Sequence, residues 1–474
     1  MQKRHLLYPI IIGIFGVMIW FIISRGQHLP HATNITTPIL QPVPPAAAPA
    51  SANGSLVTDL LHHVQHPLSM LLLQIIVILC ATRAFGFMAR KIGQPAVVGE
   101  IIAGIVLGPS LFGLLAPDAM AALFPKSSLP PLQFLSQIGL AFFMFIVGME
   151  LDINKIRQKA HDAVMISHAS IVIPFFLGVC LAYFTFSQFA PANVGFLSFA
   201  LFMGIAMSVT AFPVLARIVQ ERNLTGTPLG AMAITCAAAD DITAWCILAI
   251  VVAIAKAGGI ASALVTIALA IVFVFGMLYL VRPWLKRRMS TLQGNKTKVA
   301  LGFFVLLIAG YIAEVIGIHL LFGAFLAGVI MPAGSNIKQV LTDKLEDVSL
   351  VILLPIFFAF TGLRTQIGLL NEGALWGVFG VIMLVAVAGK FAGSAFTAKL
   401  MGQTWEESLS IGALMNTRGL MELVVLNIGY DLGILTPQVF AMLVLMALAT
   451  TFMTGPLLDY FGWYFHGRKA KAIS

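Results

Sequence analysis

Residues 227–255 form an apolar stretch with two adjacent carboxylates, Asp240 and Asp241, near its middle. The stretch is long enough to cross a bilayer as a helix, which needs roughly 20 residues. One carboxylate near the bilayer centre costs about 2.5–3.5 kcal/mol on insertion scales. Two neighbouring carboxylates cost more and also repel each other. We therefore interpret this pair as the functional site around which the other helices are arranged.

A membrane-embedded lysine, Lys390, is the expected partner of one aspartate. Adjacent helical residues project about 100° apart, so one of Asp240 and Asp241 can face a cavity while the other faces a neighbouring helix. Burial and like charge raise the pKa of a carboxyl group and a nearby ammonium lowers it, so such a set titrates as a unit. A carboxylate that ionises near neutral pH can exchange a proton for a monovalent cation. The alternative is an Asp–Lys pair that only holds two helices together.

The composition indicates a polytopic membrane protein. The chain has 474 residues, 59% hydrophobic and 10% charged, whereas soluble domains carry about 25% charged residues. The net charge of +9 reflects basic loops between apolar stretches, so we expect the lipid bilayer, and no nucleic acid, as a partner. The cysteines lack metal-ligand spacing and no ATPase or hydrolase motif is present, so we expect neither enzyme activity nor a cofactor.

Thirteen apolar stretches follow Pro67, which predicts an all-α protein with about 13 transmembrane helices. They lie at residues 67–88, 95–113, 133–151, 163–185, 193–219, 227–255, 260–281, 298–317, 319–332, 347–369, 374–400, 405–429 and 436–460. Basic residues cluster in alternate loops, which places the C-terminus in the cytoplasm. We expect a bacterial inner membrane as the location.

An extra apolar stretch at residues 6–23 follows two basic residues. We interpret it as a retained transmembrane helix, with a cleaved signal sequence as the alternative. The Pro/Ala-rich segment after it predicts an extended extracytoplasmic linker. The expected domains are the anchor at 1–26, the linker at 27–66, the transmembrane domain at 67–460 and a short cytoplasmic tail at 461–474.

Three motifs occur in the same order in both halves of the transmembrane domain. Residues 99–109 resemble 323–332, residues 142–153 resemble 357–367, and residues 204–210 resemble 412–418. An odd number of crossings separates the members of each pair, so the halves (about 67–256 and 298–460) are expected to face opposite ways. Inverted-topology repeats are typical of secondary transporters.

The first half contains an interrupted helix around Ser208, Thr210 and Pro213. Proline removes a backbone donor and clashes with the preceding turn. The freed carbonyls and the Ser208 and Thr210 hydroxyls are hard oxygen ligands near mid-membrane, where irregular backbone must be buried or line a cavity. The alternatives are hydroxyls that bond to their own helix and a proline that makes a simple kink.

Asn416 and Gly419 occupy the equivalent place in the second half. If both helices break and cross, four helix ends meet at the centre. Arg418 would offset the negative C-terminal ends, and Glu422, one turn later, would pair with Arg418. Glu100 is a further buried carboxylate that either lines the site or braces it.

The chain resembles the monovalent cation/proton antiporter superfamily, in the branch with Kef-type potassium efflux proteins and the plant and fungal cation/proton exchangers. The matching motifs are GEIIAGIVLGPS (99–110), AFFMFIVGMELDI (141–153), SVTAFPVLARI (208–218), AAADDITAW (237–245), GIHLLFGAFLAGVIMP (317–332), LPIFFAFTGLRTQI (354–367) and MNTRGLMELVVLNIG (415–429). The resemblance implies a sodium/hydrogen exchanger-like fold. In that fold a dimerisation domain accompanies a six-helix core with two crossed broken helices, and the core moves like an elevator.

By resemblance, Asp241 binds the cation and the proton, and Asp240 forms a salt bridge with Lys390 when no ion is bound. Members with Asp-Asp tend to be electrogenic and those with Asn-Asp electroneutral. Plant exchangers usually have Asn, and Kef proteins Gln, where this chain has Asp240, so neither the ion nor the stoichiometry transfers. We expect a homodimer, and no nucleotide-binding regulatory domain because the sequence ends soon after the last apolar stretch.

The sequence thus predicts a secondary active antiporter that exchanges Na⁺ or K⁺ for H⁺, with Asp241 as the ligand of the monovalent cation. A cation channel or uniporter without obligatory proton exchange is the alternative. The Asp-Asp/Lys set within an inverted repeat favours a carrier.

Overall fold

The computed structural model describes residues 2–30, 66–150, 160–224, 227–257, 260–292, 294–332 and 337–473. Most of the expected linker (residues 31–65) and the end of the 142–153 motif lie outside the described residues, as do the side chains of residues 2–10 and 466–473. Within the described part of the chain, every regular element is a helix.

The first ten helices lead to the carboxylate pair. They are α1 (Gln2–Gly26), α2 (Pro67–Lys91), α3 (Ala96–Leu107), α4 (Phe112–Leu115), α5 (Pro117–Leu123), α6 (Leu129–Glu150), α7 (Ala160–Phe189), α8 (Phe196–Ser208), α9 (Phe212–Glu221) and α10 (Pro228–Lys256). A 3₁₀ turn, Lys126–Ser128, precedes α6.

Eleven further helices complete the described chain. They are α11 (Ile260–Phe275), α12 (Arg282–Thr291), α13 (Asn295–Ile316), α14 (Leu320–Val329), α15 (Ile337–Val348), α16 (Leu354–Arg364), α17 (Gly373–Val387), α18 (Gly393–Leu400), α19 (Trp405–Met415), α20 (Leu420–Asp431) and α21 (Pro437–Ile473). π-helical turns join α11 to α12 (Gly276–Val281), α15 to α16 (Ser349–Leu353) and α17 to α18 (Ala388–Ala392), and a 3₁₀ turn, Ile367–Leu370, follows α16.

In the described residues, 12 helical segments are long and apolar enough to cross a membrane. They coincide with 12 of the expected stretches, and the remaining stretch forms α14, which has only 10 residues. At 1.5 Å per residue α14 is about 15 Å long, half of a hydrocarbon core of about 30 Å. It begins at Leu320, one residue after the start of the expected stretch, because His319 has a φ of 80°, and it ends at Val329, three residues before the end of that stretch. The count of thirteen crossings therefore stays a prediction.

The expected domain boundaries, with the transmembrane domain at 67–460, stay a prediction. α1 packs on the rest of the protein, since the Phe15 ring contacts Phe176 of α7 and Gly26 lies against Phe196 of α8. At the other end, α21 continues to Ile473, beyond the expected boundary at residue 460. Whether the N-terminal helix is retained in the mature protein stays a prediction.

The helices pack as two groups. The crossing bundle consists of α7–α10 and α17–α21, and the flanking bundle consists of α2, α3, α6, α13, α14 and α16. α16 meets α20, and α3 meets α21, where the two bundles touch. Asp240 and Asp241 lie on α10 of the crossing bundle.

Two close contacts in the flanking bundle relate the repeated motifs. A methyl group on Gly104 of α3 would lie 2.3 Å from the carbonyl oxygen of Ala359 in α16, and one on Gly328 of α14 would lie 2.2 Å from that of Phe145 in α6. α3 and α14 carry one repeated motif, and α6 and α16 carry another. The α3 motif of the first half thus packs on the α16 motif of the second half. In the same way, the α14 motif of the second half packs on the α6 motif of the first half. The inverted orientation of the halves stays a prediction.

Candidate ion-binding site

The first interrupted helix breaks completely. α8 ends at Ser208, residues 209–211 are not helical, and α9 begins at Phe212. Pro213 occupies the first turn of α9, where its missing N–H costs no intrahelical hydrogen bond. Pro213 therefore starts a second helix here and does not merely kink a continuous one.

The second interrupted helix meets the first at its break. α19 ends at Met415 and α20 begins at Leu420. The backbone N–H of Ala211, in the first break, donates to the carbonyl of Thr417 in the second, at 3.1 Å. Gly419 allows close approach, because a methyl group there would lie 3.0 Å from a side-chain carbon of Val214. The two unwound segments thus satisfy part of each other's backbone at a depth where water is scarce.

Arg418 joins the breaks electrostatically. Its guanidinium is fully buried and donates to the carbonyls of Ala206 (2.6 Å) and Met207 (2.7 Å) in the last turn of α8. That turn is the negative end of the α8 dipole. Arg418 also pairs with Glu422 at 2.5 Å, and its own carbonyl accepts from the Thr451 hydroxyl at 2.6 Å.

One carboxyl oxygen of Asp240 has three donors, whereas its Oδ1 has no hydrogen-bond partner in the described residues. Its Oδ2 accepts from the hydroxyls of Ser170 and Thr210, both at 2.6 Å, and lies 3.4 Å from Lys390 Nζ. Lys390 also donates to the Ser170 carbonyl and hydroxyl, each at 3.2 Å, and to the Ser208 carbonyl. All five residues are fully buried. This network holds a compensated ion pair, because each charge has several polar partners.

Asp241 differs from Asp240 in its hydrogen bonding. It is 2% exposed, and neither of its carboxyl oxygens has a hydrogen-bond partner among the described residues. The backbone amide of Phe212, at the N-terminus of α9, faces the same carboxyl group without completing a hydrogen bond. Buried polar atoms are nearly always satisfied. The oxygens of Asp241 are therefore suited to accept a proton or a monovalent cation, for which carboxylate oxygen is a hard ligand.

Other expected site residues are placed differently. The Ser208 hydroxyl donates to the Gly204 carbonyl of its own helix at 2.7 Å, so only the Ser208 carbonyl reaches the ion pair. The side-chain amide of Asn416 is buried without a partner in the described residues. Glu100 lies in α3 of the flanking bundle, half-buried against Gly86 of α2. The structure brings Thr210 and Lys390 to Asp240, but the described hydrogen bonds do not join Glu100 to that group.

Two residues of the network were missed by the sequence analysis. Ser170 touches both members of the ion pair, and Thr451 touches the second break. The one sequence feature that could have pointed to them is a hydroxyl side chain inside an apolar stretch. The π-helical turn around Lys390 has no signal in the amino-acid pattern, although such turns often occur at functional sites.

Crossed, interrupted membrane helices around a buried acid–lysine set define a membrane transporter. Residues 75–461 match the family model described as sodium/hydrogen exchanger, transmembrane. The chain belongs to the sodium/hydrogen exchanger family.

Similar proteins come from bacteria, plants and yeast. The chain is 43% identical to a Na(+)/H(+) antiporter of Synechocystis, NhaS4, over 82% of this chain and 97% of that protein. It is 37% identical to cation/H(+) antiporter 18 of Arabidopsis thaliana over 90% of this chain and 53% of that protein. It is 34% identical to K(+)/H(+) antiporter 1 of Saccharomyces cerevisiae over 82% of this chain and 47% of that protein. The chain thus spans about half the length of these plant and yeast relatives.

A solved structure shares the fold. The sodium proton antiporter MjNhaP1 of Methanocaldococcus jannaschii superimposes with a TM-score of 0.59 at 15% identity. The match covers 84% of this chain and 98% of that one.

Proposed function

We propose that this chain is a monovalent cation/proton antiporter, in which Asp241 binds Na⁺ or K⁺ and H⁺ in turn. The observation that carries the proposal is the asymmetry of the acidic pair. Asp240 accepts from three side chains, whereas Asp241, the next residue, is buried with both oxygens unpartnered in the described structure. The relatives named as Na(+)/H(+), cation/H(+) and K(+)/H(+) antiporters support the same activity.

In the proposed mechanism each carboxylate has a different task. Lys390, Ser170 and Thr210 hold Asp240 in place and compensate its charge. Asp241 has no fixed counter-charge of its own, so it is stable when protonated or when a cation occupies the site. Only one of these ligands binds at a time. Alternating exposure of Asp241 to the two sides of the membrane then couples cation movement to opposite proton movement.

The burial of the site favours a carrier over a channel. Asp241 is 2% exposed, and Lys390 and Asp240 are fully buried. A channel needs a continuous hydrated path past its ion sites. A uniporter would need no obligatory proton, so proton coupling is the property to measure.

We further propose that the basic helix ends face the cytoplasm and that the chain forms a homodimer in a bacterial inner membrane. Arg90 and Lys91 end α2, Lys338 lies near the start of α15, and Lys399 ends α18. The Lys338 ammonium donates to the Met149 carbonyl at the end of α6, so α6 and α15 meet at this end of the protein. The positive-inside rule assigns that end to the cytoplasm.

The test is cation-driven proton movement in proteoliposomes with Na⁺, Li⁺ and K⁺ compared. Wild type is expected to dissipate a pH gradient on cation addition, and Asp241→Asn, which keeps the shape but loses the charge, is expected to lack this activity. Asp118→Asn, at an exposed aspartate of α5, is the matched control and should behave as wild type. Normal exchange by Asp241→Asn would refute the assignment. Cation flux without proton movement in wild type would make the chain a channel or uniporter.

A further inference from the structure

A polar cluster fastens α20 of the crossing bundle to the flanking bundle. Arg364, at the end of α16, donates to Asp431 Oδ1 at 2.8 Å and to Asn427 Oδ1 at 3.2 Å. Gln133 of α6 donates to the other oxygen of Asp431 at 3.1 Å. The Asn427 amide donates to the Thr361 hydroxyl of α16 at 2.8 Å. We call these five residues the outer latch.

The outer latch is better shielded than an ordinary surface ion pair. The side chain of Arg364 is 13% exposed and that of Asp431 is 30% exposed. The Arg364 guanidinium also lies 4.3 Å from the ring centre of Phe360 and 5.4 Å from that of Tyr430. Exposed pairs contribute little because water and salt screen them, whereas stacked and partly desolvated guanidinium groups bind more firmly.

The outer latch lies at the membrane face opposite the basic loops. Ser110, at the far end of α3 from Pro95, donates to the Thr365 carbonyl next to Arg364. α3 starts just after Arg90 and Lys91, on the side assigned to the cytoplasm. Arg364 therefore lies on the extracytoplasmic side.

At the other face a long hydrogen bond joins the bundles, from the Gln94 amide of the α2–α3 loop to the Phe452 carbonyl of α21 at 3.4 Å. A cavity of about 260 Å³ opens there between the α2–α3 loop and helices α9 and α21, lined among others by Gln94, Ile218, Arg222 and Thr451. The crevice beside the outer latch holds only about 20 Å³, room for about one water molecule. Thr451 joins the larger cavity to the crossing, because its hydroxyl binds the Arg418 carbonyl.

We propose that the outer latch is the extracytoplasmic gate of the exchange cycle, closed in this structure, and that it must open each time Asp241 is exposed to the outside. The inference rests on the proposed antiport function and orientation. α20 carries the coupling: it begins beside Arg418 at the crossing and ends at Asp431 in the outer latch. A rigid displacement of the crossing bundle that exposes Asp241 outward would therefore separate Asp431 from Arg364 and Gln133.

Reversible cross-linking tests whether the two bundles separate. The full chain, with its four native cysteines replaced by alanine, carries Gln133→Cys and Asp431→Cys and is treated with a short bifunctional methanethiosulfonate reagent. The reduced protein is expected to exchange cations for protons. Exchange should fall to the protein-free background after cross-linking and return when a reductant cleaves the link. A second pair, Gln137→Cys with Ile428→Cys, lines the same crevice and leaves every latch residue in place.

The matched control is Ser110→Cys with Ile367→Cys, which joins the turn after α3 to the turn after α16 on the same membrane face and within one bundle. This pair should exchange equally well before and after cross-linking. Unimpaired exchange by the cross-linked Gln137/Ile428 pair would overturn the gate. Absence of exchange in wild type would instead refute the antiport proposal, so the two failures are distinguishable.

Accessibility gives an independent readout. A cysteine at position 137, inside the crevice, is labelled in intact cells by a membrane-impermeant maleimide, with and without Asp431→Asn. Opening the latch should speed labelling by about tenfold, since the variant removes the ion pair that favours the closed state. An unchanged labelling rate would mean that the ion pair does not close the crevice.

Discussion

At the scale of single residues, Ser170 connects the two charges of the buried ion pair. Its hydroxyl donates to Asp240 and accepts from Lys390, and its carbonyl accepts from Lys390 as well. One hydroxyl thereby supplies both the donor that a carboxylate needs and an acceptor that an ammonium needs. Removal of this hydroxyl should weaken both partners at once.

Ser170→Ala is expected to destabilise the protein by about 1.5–3 kcal/mol, the usual contribution of a hydrogen bond to a charged group. The measurement is thermal or denaturant unfolding of the purified protein in detergent. Ser167→Ala is the control on the same helix, because the Ser167 hydroxyl is buried without a partner in the described residues. Equal losses from both variants would show that the Ser170 hydrogen bonds contribute nothing specific.

The contributions of Lys390 and Asp240 to the free energy of unfolding should depend on each other. Lys390→Met leaves a buried carboxylate without its counter-charge and is expected to cost about 3–5 kcal/mol. Adding Asp240→Asn removes that charge, so the double variant should recover most of the loss. A double-mutant cycle of unfolding free energies measures the coupling. Additive effects would contradict the pairing.

The charged residues of the cluster and Thr210, which lies at a helix break, could be singled out from sequence, whereas the hydroxyls of Ser170 and Thr451 could not. A carboxylate or an ammonium in an apolar stretch is conspicuous whatever surrounds it. A serine or threonine in such a stretch is not, because it can bond to the preceding turn of its own helix, as Thr82 and Thr185 do. The Thr451 hydroxyl also lies 2.7 Å from the Ala447 carbonyl of its own helix. Ser170 and Thr451 are therefore distinguished by their contacts with distant residues, which the local sequence does not encode.

At the scale of helices, the contacts at Gly104 and Gly328 fix how closely helices of opposite halves approach. In each, the missing side chain is replaced by backbone of the facing helix. Backbone cannot rotate away as a flexible side chain can. The fit therefore depends on glycine at these positions.

Gly104→Ala should push α3 away from α16 and destabilise the protein by about 1–3 kcal/mol, the usual cost of overpacking. Gly380→Ala is the control, because a methyl group at Gly380 of α17 meets nothing within 4 Å. Its expected effect is neutral to slightly stabilising, since alanine favours a helix over glycine. Unfolding of both variants in detergent measures the difference. A Gly104→Ala protein as stable as the control would mean that the two helices can separate at little cost.

The breaks of both interrupted helices could be located from proline, glycine and hydroxyl residues, since these residue types disrupt helices locally. The hydrogen bond between Ala211 and Thr417 could not be predicted, because it depends on how two distant segments cross. The short length of α14 was also missed. Its apolar composition resembles that of a full membrane helix, but the helix ends at Val329, three residues before the end of the apolar stretch.

At the scale of the whole molecule, the outer latch joins the two bundles at one membrane face, and a cavity of about 260 Å³ lies between them at the other. The residues of the outer latch occur near helix ends, where charged and amide groups are common because they are solvated. Nothing in their local sequence marks Gln133, Arg364 and Asp431 as partners. Their contact depends on the relative position of the bundles, which is the quantity that changes in alternating access. Sequence therefore indicates the ion site more readily than the gate.

The π-helical turn at Ala388–Ala392 makes the direction of the Lys390 side chain depend on the number of residues in this segment. A π-turn holds one residue more than the α-helical turn it replaces, and one residue corresponds to about 100° of rotation. The faces of α17 and α18 are therefore out of phase, and Lys390 lies at the discontinuity. A substitution elsewhere in this segment leaves the phase unchanged. The gain or loss of one residue in this segment would instead rotate one helix against the other by about 100° and change the direction in which the Lys390 ammonium points.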